Sequence, residues 1–370
     1  MFLIPYNRLT NDQKGIIRRI SRDNDNLFIE GPPGSGKTLI SLYTIKDLIE
    51  SQLATPLVMI YNHSLYGYLQ SAFKELGLTD NITIVTKDKF FWDLAKKNGV
   101  RIVYNLSYEE KYDQLLSELL EKPLETTWDI AIVDEVQDMS KKEWQLVKKL
   151  TGKVTSMGDF NQGIYDSDLK REHVTEKSRV EQLFDIFRFH KNIAKIAENF
   201  SKKYNALEKK VKKIEQKQVK LIDVSNSYAE KEEIINILNS LKSQRSRIGI
   251  ISPNKRKLNE LYTTLNSKGI NSTYFQNNRD FRNHDFTSNK PLLITSYSAK
   301  GLEFENVIVF GFDREVSFIG DSADELIYVS ITRSNSGLYI IRTPETIKKI
   351  KDIRIEEDLI EELESFDDIF

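Results

Sequence analysis

The sequence predicts an α/β protein with two lobes in tandem, each built on a parallel β-sheet covered by helices. Three observations indicate this class. Strand and helix patterns alternate along both halves of the 370-residue chain, a glycine-rich turn joins a strand to a helix in the first half, and an apolar run in the same half ends in two adjacent carboxylates. Such alternation is typical of parallel sheets whose crossover helices pack on the sheet faces.

The elements follow from apolar runs and from helical spacing of apolar residues. In the first half, the predicted strands cover residues 26–30, 56–61, 81–85, 129–133 and 153–158, and the predicted helices cover 37–52 and 63–76. In the second half, the strands cover 218–224, 247–252, 290–297, 306–312 and 337–342, and the helices cover 229–243, 254–268 and 322–334.

The domain break is predicted near residues 176–185, between two strand-rich blocks. We assign residues 1–178 to the first lobe, with a small helical insertion at about 88–125, and residues 179–355 to the second lobe. Residues 356–370 form an acidic tail. Only the first half carries the glycine-rich turn, which indicates one ligand cleft that the second lobe completes.

The glycine-rich turn matches the phosphate-binding loop of nucleotide-binding proteins. It comprises Gly31, Pro32, Pro33, Gly34, Ser35, Gly36, Lys37 and Thr38. The glycines allow a tight turn whose N–H groups reach phosphate oxygens, and the start of the following helix adds its positive dipole end. In such loops the lysine neutralises the β- and γ-phosphates, and the hydroxyl after it ligates Mg²⁺. A site for a nucleotide and Mg²⁺ is therefore predicted.

The two adjacent carboxylates, Asp134 and Glu135, follow the apolar run 130–133, which is typical of a buried parallel strand. Ligands of α/β sheets bind at the carboxyl ends of the strands. We therefore expect Asp134 to hold the divalent metal and Glu135 to polarise a water molecule.

Composition excludes several other classes. The chain has no cysteine, which excludes disulfides, thiolate zinc sites and thiol nucleophiles, and its four histidines are scattered. The formal net charge is −1, so any nucleic-acid site has to be a local stripe. No apolar run approaches membrane-spanning length, and the first residues lack the basic start of a signal peptide. We expect a cytoplasmic protein without a membrane partner.

Four more segments occur in the order found in a known family. Residues 157–165 resemble the motif GDxxQxIY, Phe187-Arg188 resembles a Tyr-Arg pair, residues 295–304 are close to TLHSAKGLEF, and residues 328–333 match YVxxTR. With the phosphate loop and the sequence Asp-Glu-Val-Gln-Asp at 134–138, the chain resembles the superfamily 1 helicases of the UvrD/Rep/PcrA type over nearly all of its length.

The resemblance implies two RecA-like P-loop NTPase lobes with an ATP cleft between them and single-stranded DNA across both. It implies catalytic roles for Lys37, Glu135, Gln162, Arg188 and Arg333, with Gln162 as the γ-phosphate sensor and Arg333 as a finger from the second lobe. Adenine and ribose contacts fall to Gln13, Phe187 and Glu303, and the metal ligands to Thr38 and Asp134. Nucleic-acid contacts are expected at Tyr61, Asn62, His63, Thr86, Thr295, Tyr297 and Ser298.

The chain departs from this family in several places. The large second-lobe insertion that contacts duplex DNA in this family does not fit between the strands at 247–252 and 290–297, so the resemblance does not imply strand separation by this chain alone. The tryptophan that follows the third motif is absent, because Tyr165 is followed by Asp166. Tyr297 replaces the family's histidine and keeps an aromatic face.

Several features have two interpretations. Gln13 lies three residues after Thr10, so it fits a helix capping box as well as an adenine contact. The run 90–92 (Phe-Phe-Trp) suits the core as well as base stacking. The lysine-rich stretch 202–220 suits a solvated face as well as a nucleic-acid contact. The acidic tail has apolar residues at helical spacing, which suits packing on this chain as well as a protein partner.

Two classes of function follow. The first is a motor driven by Mg²⁺ and ATP, stimulated by single-stranded DNA and moving 3′ to 5′ by family analogy. The second is an ATP-controlled switch or clamp in a larger repair or phage-defence complex, which would bind a nuclease or another subunit through the tail. An RNA-acting relative is a further alternative, because the backbone-contacting motifs barely distinguish the two sugars.

Overall fold

The computed structural model describes residues 4–52, 54–60, 63–78, 82–101, 105–160, 167–201, 206–213, 219–244, 246–275, 284, 286, 288–314 and 323–354. Within these residues, the chain forms two sheets of six strands each. All the strand pairs are parallel. The predicted class, an α/β protein with two parallel-sheet lobes, is therefore confirmed.

The first sheet places the predicted motifs at one edge. Its strands are β1 (Leu27–Glu30), β2 (Pro56–Ile60), β3 (Thr83–Thr86), β4 (Trp128–Val133), β5 (Thr151–Gly158) and β6 (Arg179–Gln182). Their order across the sheet is β3-β2-β4-β5-β1-β6. β5 thus lies between β1, which precedes the phosphate loop, and β4, which precedes the carboxylates. Because the strands are parallel, these loops meet at their carboxyl ends.

The first lobe extends beyond the boundary that we predicted at residue 178. β6 pairs with β1 from Arg179 opposite Leu27 to Gln182 opposite Glu30, so residues 179–182 are the edge strand of the first sheet. The sequence gives little signal for this strand because its residues are mostly exposed and polar, as is common at a sheet edge.

Helices cover the first sheet. They are α1 (Asn11–Arg22), α2 (Lys37–Glu50), α3 (His63–Glu75), α4 (Lys87–Lys97), α5 (Tyr108–Glu121), α6 (Lys141–Leu150) and α7 (Arg171–Thr175). The helices α4 and α5 lie between β3 and β4, in the stretch where a helical insertion is predicted. Phe90 and Phe91 of α4 are buried in the core, as one of the two interpretations of that run requires.

The second lobe repeats the arrangement. Its strands are β7 (Val219–Asp223), β8 (Ile248–Ser252), β9 (Thr273–Tyr274), β10 (Leu292–Thr295), β11 (Phe304–Val309) and β12 (Ser334–Arg342), in the order β7-β12-β11-β8-β10-β9. Its helices, with those of the connecting segment, are α8 (Lys191–Glu198), α9 (Leu207–Lys210), α10 (Ser227–Leu241), α11 (Lys255–Ser267), α12 (Ala323–Ile331) and α13 (Lys348–Lys351).

One apolar cluster is continuous from lobe to lobe. It includes Ile29 and Leu65 of the first lobe with Leu302 and Tyr328 of the second. The outer faces of the two sheets have separate clusters of their own. The lobes therefore share a core beneath the edge where the motifs lie. Within the described residues, the structure has no helix of the length and apolarity needed to cross a bilayer.

The close approach of Phe304 to Gly249 gives a test of the second-lobe packing. A Cβ at Gly249 would lie 2.5 Å from Cδ2 of the buried Phe304 ring. We expect Gly249→Ala to lower the free energy of unfolding by about 1–3 kcal/mol, as overpacking does. Gly15→Ala is the control: its nearest atom would be Arg19 Nη1 at 3.5 Å, and alanine suits a helix interior better by about 0.5–1 kcal/mol. Equal urea midpoints for Gly249→Ala and wild type would contradict this packing.

Candidate active site

A cleft lies between the carboxyl edge of the first sheet and the second lobe. Most of the predicted nucleotide-site residues line it. From the first lobe these are Gln13, Pro33, Gly34, Gly36, Lys37, Thr38, Asp134 and Glu135, and from the connecting segment and second lobe they are Phe187, Arg188, Glu303 and Arg333.

The phosphate loop has the backbone that an anion site needs. Gly34 and Gly36 have φ values of +79° and +94°, a region that side chains with a Cβ rarely adopt. The Lys37 ammonium donates to the carbonyls of Gly31 at 2.7 Å and Pro32 at 3.2 Å, so it lies across the loop. Burial lowers the pKa of Lys37, although the nearby carboxylates of Glu135, Asp159 and Asp134 oppose this shift.

Gln13 braces the same loop. Its Nε2 donates to the Ser35 carbonyl at 3.1 Å, while its Oε1 accepts from the Thr10 N–H at 3.0 Å. The Thr10 hydroxyl accepts from the Gln13 N–H in return, which completes a capping box at the start of α1. The capping interpretation of Gln13 therefore holds in this structure, and its contact with adenine stays a prediction.

The side-chain oxygens of Thr38 and Asp134, the two predicted metal ligands, lie next to each other. The Thr38 hydroxyl donates to Asp134 Oδ2 at 3.4 Å, and Asp134 Oδ1 accepts from the Glu135 N–H at 3.0 Å. Burial and the charge of Glu135 raise the pKa of Asp134 to about 6. A hydroxyl and a carboxylate side by side at the phosphate loop fit the hard oxygen coordination of Mg²⁺.

Glu135 is fixed by its backbone and by neighbours from both lobes. It has a φ of 54°, which is uncommon for a residue with a Cβ, and its Oε2 accepts from Gln137 Nε2. Gln137 Oε1 in turn accepts from the Asp159 N–H at 3.1 Å, which ties the β4 and β5 loops together. Burial raises the pKa of Glu135, but the charges of Lys300 and Lys37 outweigh it and hold that pKa at about 2.

The two predicted arginines contact protein groups in this structure. Arg188 forms an ion pair with Glu303 at 2.5 Å, and its Nε is buried without a hydrogen-bond partner among the described residues. Arg333 is 3 % exposed and donates to the carbonyls of Val329 at 3.0 Å and Leu302 at 3.5 Å. Burial and the charge of Arg188 lower the pKa of Arg333 to about 9. The unmet donor of Arg188 fits an anionic ligand in the cleft.

The predicted nucleic-acid contacts are only partly described. Tyr61 and Asn62 lie outside the described residues, as does the side chain of His63. Gln162, the predicted γ-phosphate sensor, also lies outside them. Thr86 is 4 % exposed, and its hydroxyl makes no hydrogen bond to the described residues, so it is not on the surface in this structure.

Thr295 ends β10, and its hydroxyl donates to Ser298 Oγ at 3.0 Å while it accepts from the Ser298 N–H at 3.2 Å. Tyr297 packs half-buried beside them, against the core cluster. These three residues therefore form one turn at the carboxyl edge of the second sheet.

Sequence reasoning missed Lys300, Gln137 and Tyr68. Tyr68, on α3, lines the cleft, and Lys300 forms ion pairs with Asp138 and Glu135. Lys300 belongs to the segment 295–304, which carries part of the family resemblance, and that membership is the only signal for it in the sequence. The identity of its partners was not in the sequence.

Two family models match separate parts of the chain. Residues 7–158 match the family described as "Type III restriction enzyme, res subunit", and residues 292–341 match the "UvrD-like helicase C-terminal domain". The first match includes the phosphate loop and the carboxylates, and the second includes the segments 295–304 and 328–333. No curated protein matches the chain.

Solved structures of helicases are similar to the chain. The C-terminal domain of a possible DNA helicase from Lactobacillus plantarum WCFS1 has 18 % identity and a TM-score of 0.37, over 45 % of this chain and 94 % of that one. The PRRSV helicase has 15 % identity and a TM-score of 0.44, over 89 % and 54 %. Arterivirus nonstructural protein 10 (helicase) has 15 % identity and a TM-score of 0.43, over 90 % and 61 %. The chain thus spans between half and two thirds of these two viral proteins.

The phosphate loop, the two parallel sheets and both family matches support a helicase-type protein that uses ATP and acts on nucleic acid.

Gly36 gives a test of the nucleotide site that does not depend on catalysis. A Cβ there would lie 2.4 Å from Gln13 Nε2, and φ is +94°. We expect Gly36→Ala to weaken ATP binding at least about tenfold, equivalent to roughly 1.4 kcal/mol. Gly77→Ala is the control, because φ there is +74° but a Cβ would have no heavy atom within 4 Å. Both variants would be titrated with a fluorescent ATP analogue, and equal affinities would contradict the assigned loop.

Proposed function

We propose that the protein is a UvrD-like motor driven by Mg²⁺ and ATP, which single-stranded DNA stimulates and which moves along that strand 3′ to 5′. The observation that carries the proposal is the convergence of charged side chains from both lobes on one cleft. Lys37, Asp134 and Glu135 come from the first lobe, and Glu303 and Arg333 from the second. A site completed by two lobes makes hydrolysis depend on their relative position.

Hydrolysis at this site needs positioned charges more than covalent chemistry. Bound Mg²⁺, held by Thr38 and Asp134, would neutralise charge on the β- and γ-phosphate oxygens. Lys37 would exchange its contacts with the loop carbonyls for phosphate oxygens. Glu135 would orient the attacking water through Oε1, since only Oε2 is hydrogen-bonded among the described residues.

The arginines would connect hydrolysis to lobe movement. Arg188 is paired with Glu303 in this structure, and a triphosphate would compete with that carboxylate for the guanidinium. Glu303 would then be released toward the ribose, as the family resemblance implies. Arg333 would exchange backbone carbonyls of its own lobe for the γ-phosphate, and Gln162 would sense that phosphate. Closure on ATP and opening on product release would move the lobes along the strand.

The second candidate function is an ATP-controlled switch in a larger complex. It is favoured by the small size of the accessory elements: α4 and α5 are the described helices between β3 and β4, and α11 is the described helix between β8 and β10. The described residues of these two stretches include no subdomain that would engage duplex DNA. Such a switch would bind nucleic acid without processive travel, and the acidic tail would recruit a protein partner.

Three substitutions test the proposed catalytic roles. We expect Lys37→Ala to abolish hydrolysis and weaken ATP binding, and Glu135→Gln to lower kcat about 10²–10⁴-fold with ATP binding retained. Arg333→Ala should lower kcat about 10³-fold or more. Arg256→Ala, whose side chain is 76 % exposed, is the matched control and should hydrolyse ATP like wild type. Steady-state phosphate release is the measurement, and normal hydrolysis by Arg333→Ala would rule out the two-lobe site.

Nucleic-acid stimulation distinguishes the candidate functions. We expect single-stranded DNA to raise kcat many-fold and Tyr297→Ala to weaken DNA binding by about 1–3 kcal/mol, since base stacking on aromatic side chains has that value. Two measurements are needed. ATPase activity is titrated with DNA and with RNA strands, and the direction of movement is measured by the displacement of a protein block from the 5′ or the 3′ end of a single strand. A flat response to both nucleic acids would favour the switch, and a response to RNA alone would assign the RNA-acting class.

A further inference from the structure

A buried ion pair joins the second lobe to the catalytic loop of the first. Lys300, in the segment after β10, is 2 % exposed, and its Nζ lies 2.5 Å from Asp138 Oδ2. The same ammonium lies 3.7 Å from Glu135 Oε2. Asp138 and Glu135 both belong to the loop that follows β4. A single side chain of the second lobe thus reaches the carboxylate proposed to orient water.

The backbone around Lys300 is docked on the first lobe. Ala299 and Leu302 are buried in the shared core, and Gly301 has a φ of +84°. A Cβ on Gly301 would lie 3.3 Å from Cδ1 of Leu65 on α3. The position of Lys300 therefore follows from the contact between the lobes, and not only from the conformation of its own chain segment.

The two carboxylate oxygens of Glu135 have different surroundings. Oε2 accepts from Gln137, a residue of the first lobe, and faces Lys300 of the second. Oε1 has no hydrogen bond to the described residues. A carboxylate held by one oxygen in this way presents the other in a fixed direction, which is what orienting a water molecule requires.

The same segment contains the predicted nucleic-acid turn. The side-chain bonds between Thr295 and Ser298 are followed by a backbone bond from the Ala299 N–H to the Thr295 carbonyl at 2.9 Å. Lys300 is the next residue. A nucleic-acid strand bound to the Thr295–Ser298 turn would therefore lie within two residues of Lys300, which forms the ion pairs with Asp138 and Glu135.

We infer that Lys300 is a positioning residue through which the second lobe holds Glu135 in place, and that nucleic acid on the Thr295–Ser298 turn stimulates hydrolysis by acting on this contact. The inference rests on the proposed function, in which Glu135 orients water and nucleic acid crosses both lobes. The competing explanation is structural: Lys300 only neutralises Asp138, whose Oδ1 is buried without a partner among the described residues.

Kinetics of three Lys300 variants test the inference. We expect Lys300→Met to lower kcat about 10- to 100-fold, as loss of an orienting partner does, with KM for ATP changed less than about threefold. Stimulation by single-stranded DNA should be lost while DNA affinity is kept. Lys300→Arg retains the charge and should recover part of kcat. Lys300→Met with Asp138→Asn removes both charges of the Lys300–Asp138 pair, so it should regain stability without regaining kcat.

Lys257→Met provides the matched control. Lys257 is also a lysine of the second lobe, paired with Glu230 at 2.8 Å and Asp313 at 2.5 Å, but it does not line the cleft. It should lower the unfolding midpoint and leave both kcat and DNA stimulation near wild-type values. If Lys300→Met does not fold, the double variant carries the test.

Several results would overturn the inference. The first is recovery of kcat in the double variant. The second is a Lys300→Met variant in which only KM changes. The third is a Lys300→Met variant that DNA still stimulates by the same factor as wild type. Failure of the proposed function would give a different result, because the wild-type protein itself would then show no response to nucleic acid. The basal kcat of Lys300→Met would still decide whether Lys300 positions Glu135.

Discussion

The cleft between the lobes depends on the balance of buried charge. Lys37, Asp138, Lys300 and Arg333 are all nearly inaccessible to water, and an uncompensated charge in such a place costs several kcal/mol. Part of the compensation crosses from one lobe to the other. Lys300 of the second lobe is paired with Asp138 of the first, so separating the lobes would break this buried ion pair. The charge states of the site residues therefore depend on how the two lobes are placed relative to each other.

The parallel sheets make this arrangement possible. Strands that all point the same way end at one edge, so segments far apart in sequence meet there without unusual backbone geometry. A shared apolar core fixes the lobes beneath that edge, while the charged groups above it have exchangeable partners. Arg188 with Glu303, and Arg333 with the carbonyls of its own lobe, occupy positions from which a polyphosphate could take them. The protein thus combines a stable base with a site whose contacts depend on the ligand.

A feature could be predicted from the sequence when its signal lies within a short segment, and was missed when it depends on contacts between distant segments. Most strands of the two sheets were predictable because strands buried on both faces are continuous apolar runs. The edge strands β6 and β9 were not, because β6 is polar and exposed and β9 has only two residues. Lys37, Thr38, Asp134 and Glu135 were recognised because the chemistry of phosphate and metal binding restricts residue type and spacing within short segments. Lys300 was missed because its partners lie 162 and 165 positions away along the chain.

The sequence by itself determined the fold class, the phosphate loop and the residues offered to a nucleotide, since these depend on local periodicity and on motifs whose members are close in sequence. Only the tertiary structure decided which charges meet. In the folded protein Arg188 pairs with Glu303, and the Gln13 amide bonds to the helix cap and to the phosphate loop. Lys300 lies next to Glu135. The physical reason is that ion pairs and hydrogen bonds act over a few ångströms of space, and those distances are set by the packing of one lobe on the other.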